Sequence, residues 1–168
     1  MADITYLQVK QKHYYLHLIT DAYSKRIVGF KRSDNMQAVT TLEALEMAIS
    51  ELEYKEQLMH HSDRGLQYCS AIYTQKLSNS NIEISMTEEY DPYENTVVER
   101  VNGILKEEFG LDDVFENYEL LELQVLQSIV LYNQLIPLAS IGLLTPNQAH
   151  KQPKLKTWKQ KTYTKLML

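Results

Sequence analysis

Three runs of β-branched and aromatic residues open the chain, at 3–9, 13–20 and 26–32, and the gaps between them hold only Lys10 to Lys12 and Asp21 to Lys25. Gaps that short permit little except antiparallel hairpins. A three-stranded meander therefore fixes one sheet at the start of the fold, and everything downstream has to extend it or cover it. Met36, Val39, Leu42, Leu45, Ile49 and Leu52 recur at spacings of three and four, the period of a helix capped by Asp34 or Asn35 and ending in the charged run Glu51 to Glu56. Leu58 and Met59 lead a short strand into His60-His61-Ser62-Asp63-Arg64-Gly65, where the glycine marks a loop. Ser70 caps a second helix to about Leu77, and Ile82 to Met86 read as a short buried strand. The polar segment Thr87 to Asn95 reads as a mobile loop. Two long helices follow, from about Pro92 or Asn95 to Phe109 and from about Tyr118 to Gln134. This order predicts an α/β fold, a mixed five-stranded sheet with helices on both faces.

With 168 residues, 44% of them hydrophobic, the chain has material for one ordinary domain and its core. No apolar stretch approaches the ~18 residues of a membrane span, and no signal peptide opens the sequence, so the expected setting is the cytoplasm with no membrane partner. Cys69 is the single cysteine and has no CxxC neighbour. The net charge is −5, but it is segregated: residues 151–168 carry six lysines and no acid, leaving −11 on residues 1–150. This divides the chain into a body, 1–150, and a lysine-rich tail, 151–168. An acidic body meets nucleic acid only through a few well-placed cations or through divalent metals that neutralise clustered carboxylates. No heptad or exposed apolar stripe defines an interface in the sequence.

Metal-dependent phosphoryl transfer needs carboxylates converging from separate parts of the chain. Asp3 on the first strand, Asp63 at the end of the fourth and Glu99 on a helix are the candidates, and their oxygens suit Mg²⁺ or Mn²⁺. With 22 acids present, spacing alone decides nothing. At ~100° per residue, Val97, Val101, Ile104 and Leu105 fall on one face of that helix and Glu99, Asn102, Gly103 and Lys106 on the other. Such a helix buries one side and offers Glu99 to metal and Gly103 and Lys106 to a closely approaching phosphate backbone, with Asn102 a further candidate DNA contact. Arg64 and Arg100 are further candidate DNA contacts. Asp21 reads as a turn residue. His60 and His61 are adjacent on a strand, point to opposite faces and cannot chelate one ion together.

Several strings resemble the bacterial insertion-sequence transposases of OrfB type, whose catalytic core is of the retroviral-integrase kind. They are Ala2-Asp3-Ile4-Thr5-Tyr6, Ile19 through Gly29, His60-His61-Ser62-Asp63-Arg64-Gly65-Leu66-Gln67-Tyr68-Cys69-Ser70, Asn95 with Glu99 through Phe109, and Tyr132-Asn133 with Leu144-Thr145-Pro146. The match runs through roughly residues 1–150, in order. It implies a ribonuclease-H-like fold and a DDE triad of Asp3, Asp63 and Glu99 holding two Mg²⁺ ions, with Asp3 bridging both. The implied activity is metal-dependent phosphodiester cleavage and strand transfer in DNA transposition. The implied partners are DNA, as element ends and target, further copies of the chain assembled on DNA, and an N-terminal helix-turn-helix region or subunit that reads the ends. The implied location is the bacterial cytoplasm, at the nucleoid when acting. The sequence departs from the family pattern at Ile136 and Leu138, apolar where arginine and histidine are usual, and at Glu89-Tyr90-Asp91, where a glycine is common. Two alternatives follow: a catalytically decayed remnant that binds DNA or a partner transposase without joining strands, and a ribonuclease-H-like nuclease.

Overall fold

The computed structural model of this protein describes residues 1–52, 57–87 and 96–153. The meander forms as the short gaps require. Strand β1 (Ala2–Val9) pairs antiparallel with β2 (Lys12–Thr20), and β2 with β3 (Ile27–Ser33). Lys10 and Lys25 take left-handed backbone angles in the two turns, φ 51° and 64°. After helix α1 (Ala38–Ser50) come β4 (Leu58–Ser62), α2 (Ala71–Asn79) and β5 (Ile82–Met86), with β5 parallel to β4 as a helical crossover allows. Helix α3 (Thr96–Glu107), a two-residue strand β6 (Val114–Phe115), α4 (Tyr118–Leu135), a 3₁₀ turn at Ala139–Ile141 and α5 (Pro146–His150) complete the fold.

The strands number six among the described residues, not five, and they form two ladders. One runs β3-β2-β1-β6 and the other β4-β5, with β4 lying beside β1. Strand β6 pairs parallel with Gln8 and Val9 of β1. Two residues carry too short a pattern to be read in advance.

Alternation along β1 divides the core. Leu7 and Val9 face one side, with Leu16 and Leu18 of β2, Val101, Ile104 and Leu105 of α3, and Leu121, Val125, Ile129 and Tyr132 of α4. Ala2 faces the other, with Ile19, with Ala44, Leu45 and Ala48 of α1, and with Tyr68, Tyr73 and Leu77. The sheet is therefore covered on both faces, as the element order predicts.

Three expectations about individual elements change. The α1 helix starts after Gln37 rather than at Asp34 or Asn35, and the Asn35 side chain instead accepts the Gln37 N–H in the preceding turn. Its inner face is Thr41, Ala44, Leu45 and Ala48, while Met36, Val39 and Leu52 are exposed. Small residues face inward because α1 lies hard against β3: a Cβ on Gly29 would stand 2.2 Å from the Ala44 carbonyl oxygen. Strand β5 is an edge strand with Ile84 exposed, not a buried one. Helix α4 is apolar on its outer side as well as its inner one, exposing Leu120, Leu123, Leu126, Val130, Leu131 and Leu135. A helix apolar all round shows no amphipathic period, which is why the sequence revealed no stripe. The expected loop up to Asn95 and the early part of the helix expected from Pro92 or Asn95 lie outside the described residues beyond Thr87. So does the tail after Pro153.

Gly29→Ala is expected to push α1 off the sheet, because the obstructing atom is backbone and cannot rotate away. Urea unfolding should show a loss of about 1–3 kcal/mol.

Candidate active site

Asp3 stands on the same side of β1 as Thr5, Leu7 and Val9, the side covered by α3 and α4. Alternation thus delivers a carboxylate to the end of an apolar row. Burial there is the main reason that its pKa is pushed up to about 6. The Ile4 backbone N–H pulls the other way, the Asp63 charge adds to the rise, the Asn102 hydrogen bond opposes it and the Glu99 charge adds again. The Asn102 amide donates to Asp3 Oδ2 at 2.6 Å.

Asp63 follows the last residue of β4, exposed, with Oδ1 accepting the Gly65 N–H at 2.8 Å. A Cβ at Gly65 would come within 2.4 Å of the Gln67 side-chain amide and 2.9 Å of Asp63 Oδ1, so both side chains would have to turn aside. Arg64 Nε donates to the Thr87 carbonyl just past β5, so Arg64 braces this loop. Below it Tyr68 and Tyr73 are fully buried with His60, which lies 3.2 Å from the Tyr73 hydroxyl, and burial depresses the His60 pKa to about 3. His60 is therefore a neutral core residue. His61 points to the opposite side, with Nδ1 at 3.0 Å from Ser85 Oγ.

Glu99 is in the first turn of α3 and exposed. The buried face of α3 is Val98, Val101, Asn102, Ile104 and Leu105. This corrects the expected placement of Asn102 among the DNA contacts: it is 9% exposed and spends its amide on Asp3, while its Oδ1 has no hydrogen-bond partner among the described residues. The Val98, Asn102, Leu105 spacing of four and three carries that signal in the sequence. Counting Val97 inward instead of Val98 turns the wheel and hides it. Lys106 pairs with Asp112 at 3.2 Å. Arg100 is exposed and makes no ion pair among the described residues; with Lys25, Val97 and Leu143 it borders a cavity of about 560 Å³.

Asp63 and Glu99 are thus near enough to Asp3 to act on its charge, and none of the three is paired with a lysine or arginine among the described residues. They are not drawn into one cluster. Among the described residues no three Asp, Glu, His or Cys side chains stand close enough to hold a metal. The donor chemistry nevertheless fits a hard divalent cation: three carboxylates without a counter-charge and a buried amide oxygen without a partner. Asp21 is a turn residue as expected, accepting from Tyr23 and Ser24 and lying 3.0 Å from His150 Nδ1.

Residues 1–92 match the family described as integrase core domain, and residues 80–146 match a second family of that description. The chain belongs to the integrase core domain family. Curated proteins similar to this integrase core include the transposase for insertion sequence element IS629 of Shigella sonnei. It is 32% identical over 151 residues, which cover 90% of this chain and 51% of that protein. Transposase InsF for insertion sequence IS3A of Escherichia coli strain K12 is 33% identical over 147 residues, 87% and 51% of the two chains. The chain spans about half the length of these curated relatives.

Among solved structures, the integrase catalytic core domain of HTLV-2 in complex with magnesium, in trimeric form, superposes with a TM-score of 0.70. It has 24% identity, over 89% of this chain and 93% of that one. The simian T-cell lymphotropic virus intasome in complex with a PP2A regulatory subunit gives 0.76, 24% identity, 96% and 57%. The fold of this integrase core is thus ribonuclease-H-like, as its sequence strings imply.

The raised pKa of Asp3 has a sign that can be tested in the metal-free integrase core. A carboxyl whose folded pKa lies above its unfolded value of about 3.9 adds no penalty near pH 4, an increasing one up to about 6 and its full penalty above. Asp3→Asn keeps an acceptor for the Asn102 amide and removes the charge. It should equal the wild type in denaturant stability near pH 4 and exceed it by about 2 kcal/mol near pH 7.5.

Proposed function

We propose that this chain is the catalytic core of a DNA transposase, cleaving and joining phosphodiester bonds with Mg²⁺ or Mn²⁺ held by Asp3, Asp63 and Glu99. The observation that carries this is a carboxylate half out of water at Asp3, beside two further carboxylates with no counter-charge among the described residues, in an integrase core domain. Two ions are expected, and Asp3, Asp63 and Glu99 would be the residues that hold them. Bound there, such ions activate water or a DNA 3′-hydroxyl and stabilise the leaving oxygen.

The chain's own residues position this chemistry. Asn102 holds Asp3 through Oδ2 and fixes its orientation from α3. Gly65 and Arg64 set the loop that carries Asp63, one by its N–H and the other by tying the loop to Thr87. Arg64 keeps its terminal guanidinium nitrogens for phosphate, and Arg100 is the cation best placed for the DNA backbone, since Lys106 is shared with Asp112. The lysines of 151–168 would add non-specific phosphate contacts to the body formed by 1–150, with salt dependence in proportion. Element ends and target DNA are the substrates, and an N-terminal helix-turn-helix region or subunit would recognise the ends. No helix among the described residues is long and apolar enough to cross a membrane. Work at the nucleoid in a bacterial cytoplasm follows from this reading.

The two alternatives part from it experimentally. Ile136 and Leu138, apolar at positions that suggested a decayed copy, pack against the main core, so they fill space in the fold. A nuclease would cut without joining pre-cut ends.

Calorimetric titration of Mn²⁺ into the wild type and into Asp63→Asn tests the site directly. Binding is expected in the first and lost in the second, with unchanged circular dichroism, and cleavage should disappear with it. Because the ion competes with a proton on Asp3, affinity should fall about tenfold per pH unit below about 6. Equal binding by both chains would remove Asp63 from the site.

A further inference from the structure

Apart from Arg100 at its border, the cavity of about 560 Å³ beside α3 takes no part in the chemistry proposed above, yet its size is that of a small-molecule site, roughly 300–1,000 Å³. Buried Val101, Ile104 and Tyr132 line it from α3 and α4, and Pro137, Leu138 and Leu143 line it from the segment after α4. The family usually has histidine at 138, so this apolar wall belongs to the chain itself. Leu143 is 71% exposed at φ 62°, a left-handed angle uncommon for a leucine. Backbone hydrogen bonds hold it there: the Leu143 N–H donates to the Leu138 carbonyl at 2.9 Å, and the Leu138 N–H to the Leu144 carbonyl at 3.0 Å. The fold thus keeps an apolar side chain in solvent at the cavity's edge, in a backbone conformation that is typical of functional sites.

Charge selects the ligand. Among the described residues two cations, Lys25 and Arg100, line the cavity and no acid does, although residues 1–150 carry −11. Neither cation pairs with a carboxylate among the described residues, and the Lys25 ammonium donates to the Ala22 carbonyl at 2.5 Å instead. Burial lowers the Lys25 pKa, and the Asp21 charge opposes this only in part. Two such cations call for more than one negative charge. A phosphate monoester carries about −1.5 to −2 at neutral pH, whereas a carboxylate or a phosphodiester carries one. A guanidinium also takes phosphate in bidentate geometry. The apolar lining then needs a sizeable group attached to that phosphate, and the hydroxyls of Thr96 and Ser140 suit the polar edge of a base better than an alkyl chain.

We propose that this cavity binds a nucleotide by its terminal phosphate, with the phosphate on Arg100 and Lys25 and the base among Val97, Leu138 and Leu143. The preference for a base rests on the reading of the chain as one that acts on DNA. A free nucleoside monophosphate and the 5′-phosphorylated end of a DNA strand present the same group.

Fluorescence titration of 2-aminopurine deoxynucleoside 5′-monophosphate into the full 168-residue chain, in EDTA, tests it. Saturable binding is expected, displaced by dAMP and not by deoxyadenosine at the same concentration. Arg100→Gln should weaken it at least ~10-fold. Ala139→Trp, which fills the cavity from an exposed position, should abolish it with the thermal midpoint unchanged. Asp63→Asn should lose Mn²⁺ and still bind the nucleotide, so failure of the metal site and failure of this one are told apart. An oligonucleotide that displaces the probe better with a 5′-phosphate than with a 5′-hydroxyl assigns the site to a strand end, and equal displacement by the two assigns it to the free nucleotide. Three results overturn the inference: no saturable signal at millimolar probe, displacement by inorganic phosphate as effective as by dAMP, which would mean an adventitious ion only, or binding undiminished in both Arg100→Gln and Ala139→Trp.

Discussion

A carboxylate placed at the beginning of the central strand, on the side of the sheet that faces the core, constrains the rest of this fold. Asp3 costs stability where it stands, since burial penalises its charged form and Asp63 and Glu99 add repulsion. The fold meets that cost with a small number of fixed groups. The Ile4 backbone and the Asn102 amide stabilise the charge, and the fully buried Val98 and Leu105 on either side of Asn102 along α3 hold that helix in place. Strand β4 lies beside β1, and Asp63, the residue after its end, is near enough to act on the Asp3 charge. The electrostatic discomfort is therefore concentrated at one point, and the two apolar clusters on either side of the sheet contain no charged residue.

The β2–β3 turn, at the same end of the sheet as the start of β1, shows why the strings shared with integrase cores occur together. Asn133 on α4 accepts from the Ile27 N–H and donates to the Ile27 carbonyl, both at 3.0 Å, so one side chain satisfies the backbone where β3 begins. Tyr132 donates to the Lys25 carbonyl one turn earlier. Arg26 reaches Asn147 of α5, and His150 meets Asp21 and Ser24 in the same turn. The β2–β3 turn is thus fastened by α4 and α5 together. The blocks at 19–29, 132–133 and 144–146 are parts of one structural joint, which lies beside the start of β1 where Asp3 stands.

Much of this was legible in the sequence because period-two and period-three-to-four patterns are long enough to read. The meander, the β4-α2-β5 unit and the two long helices fall within a few residues of expectation. What was missed has specific causes. Strand β6 spans two residues and owes its existence to pairing with Gln8 and Val9. The inner face of α1 carries Ala44 and Ala48 where it lies against Gly29, and a search for large apolar residues finds Leu45 but also picks the exposed Met36, Val39 and Leu52. Asn102 looked like a surface polar residue because polarity alone does not distinguish solvent from a buried carboxylate as its partner.

Apolar residues in unexpected places carry opposite meanings in this chain, and burial separates them. Ile136 and Leu138 stand where the family usually has charge or imidazole, yet they pack against the core that contains Leu121 and Tyr132. They extend the hydrophobic layer beyond the end of α4, and the loss of polar groups there is compensated locally by area removed from water. The leucines on the outer side of α4 gain nothing of the kind in a monomer. They recur along the helix, and from Leu123 to Leu135 that helix carries no charged residue. A core can absorb the first kind of apolar residue on its own, whereas the second is stabilised only when another surface covers it.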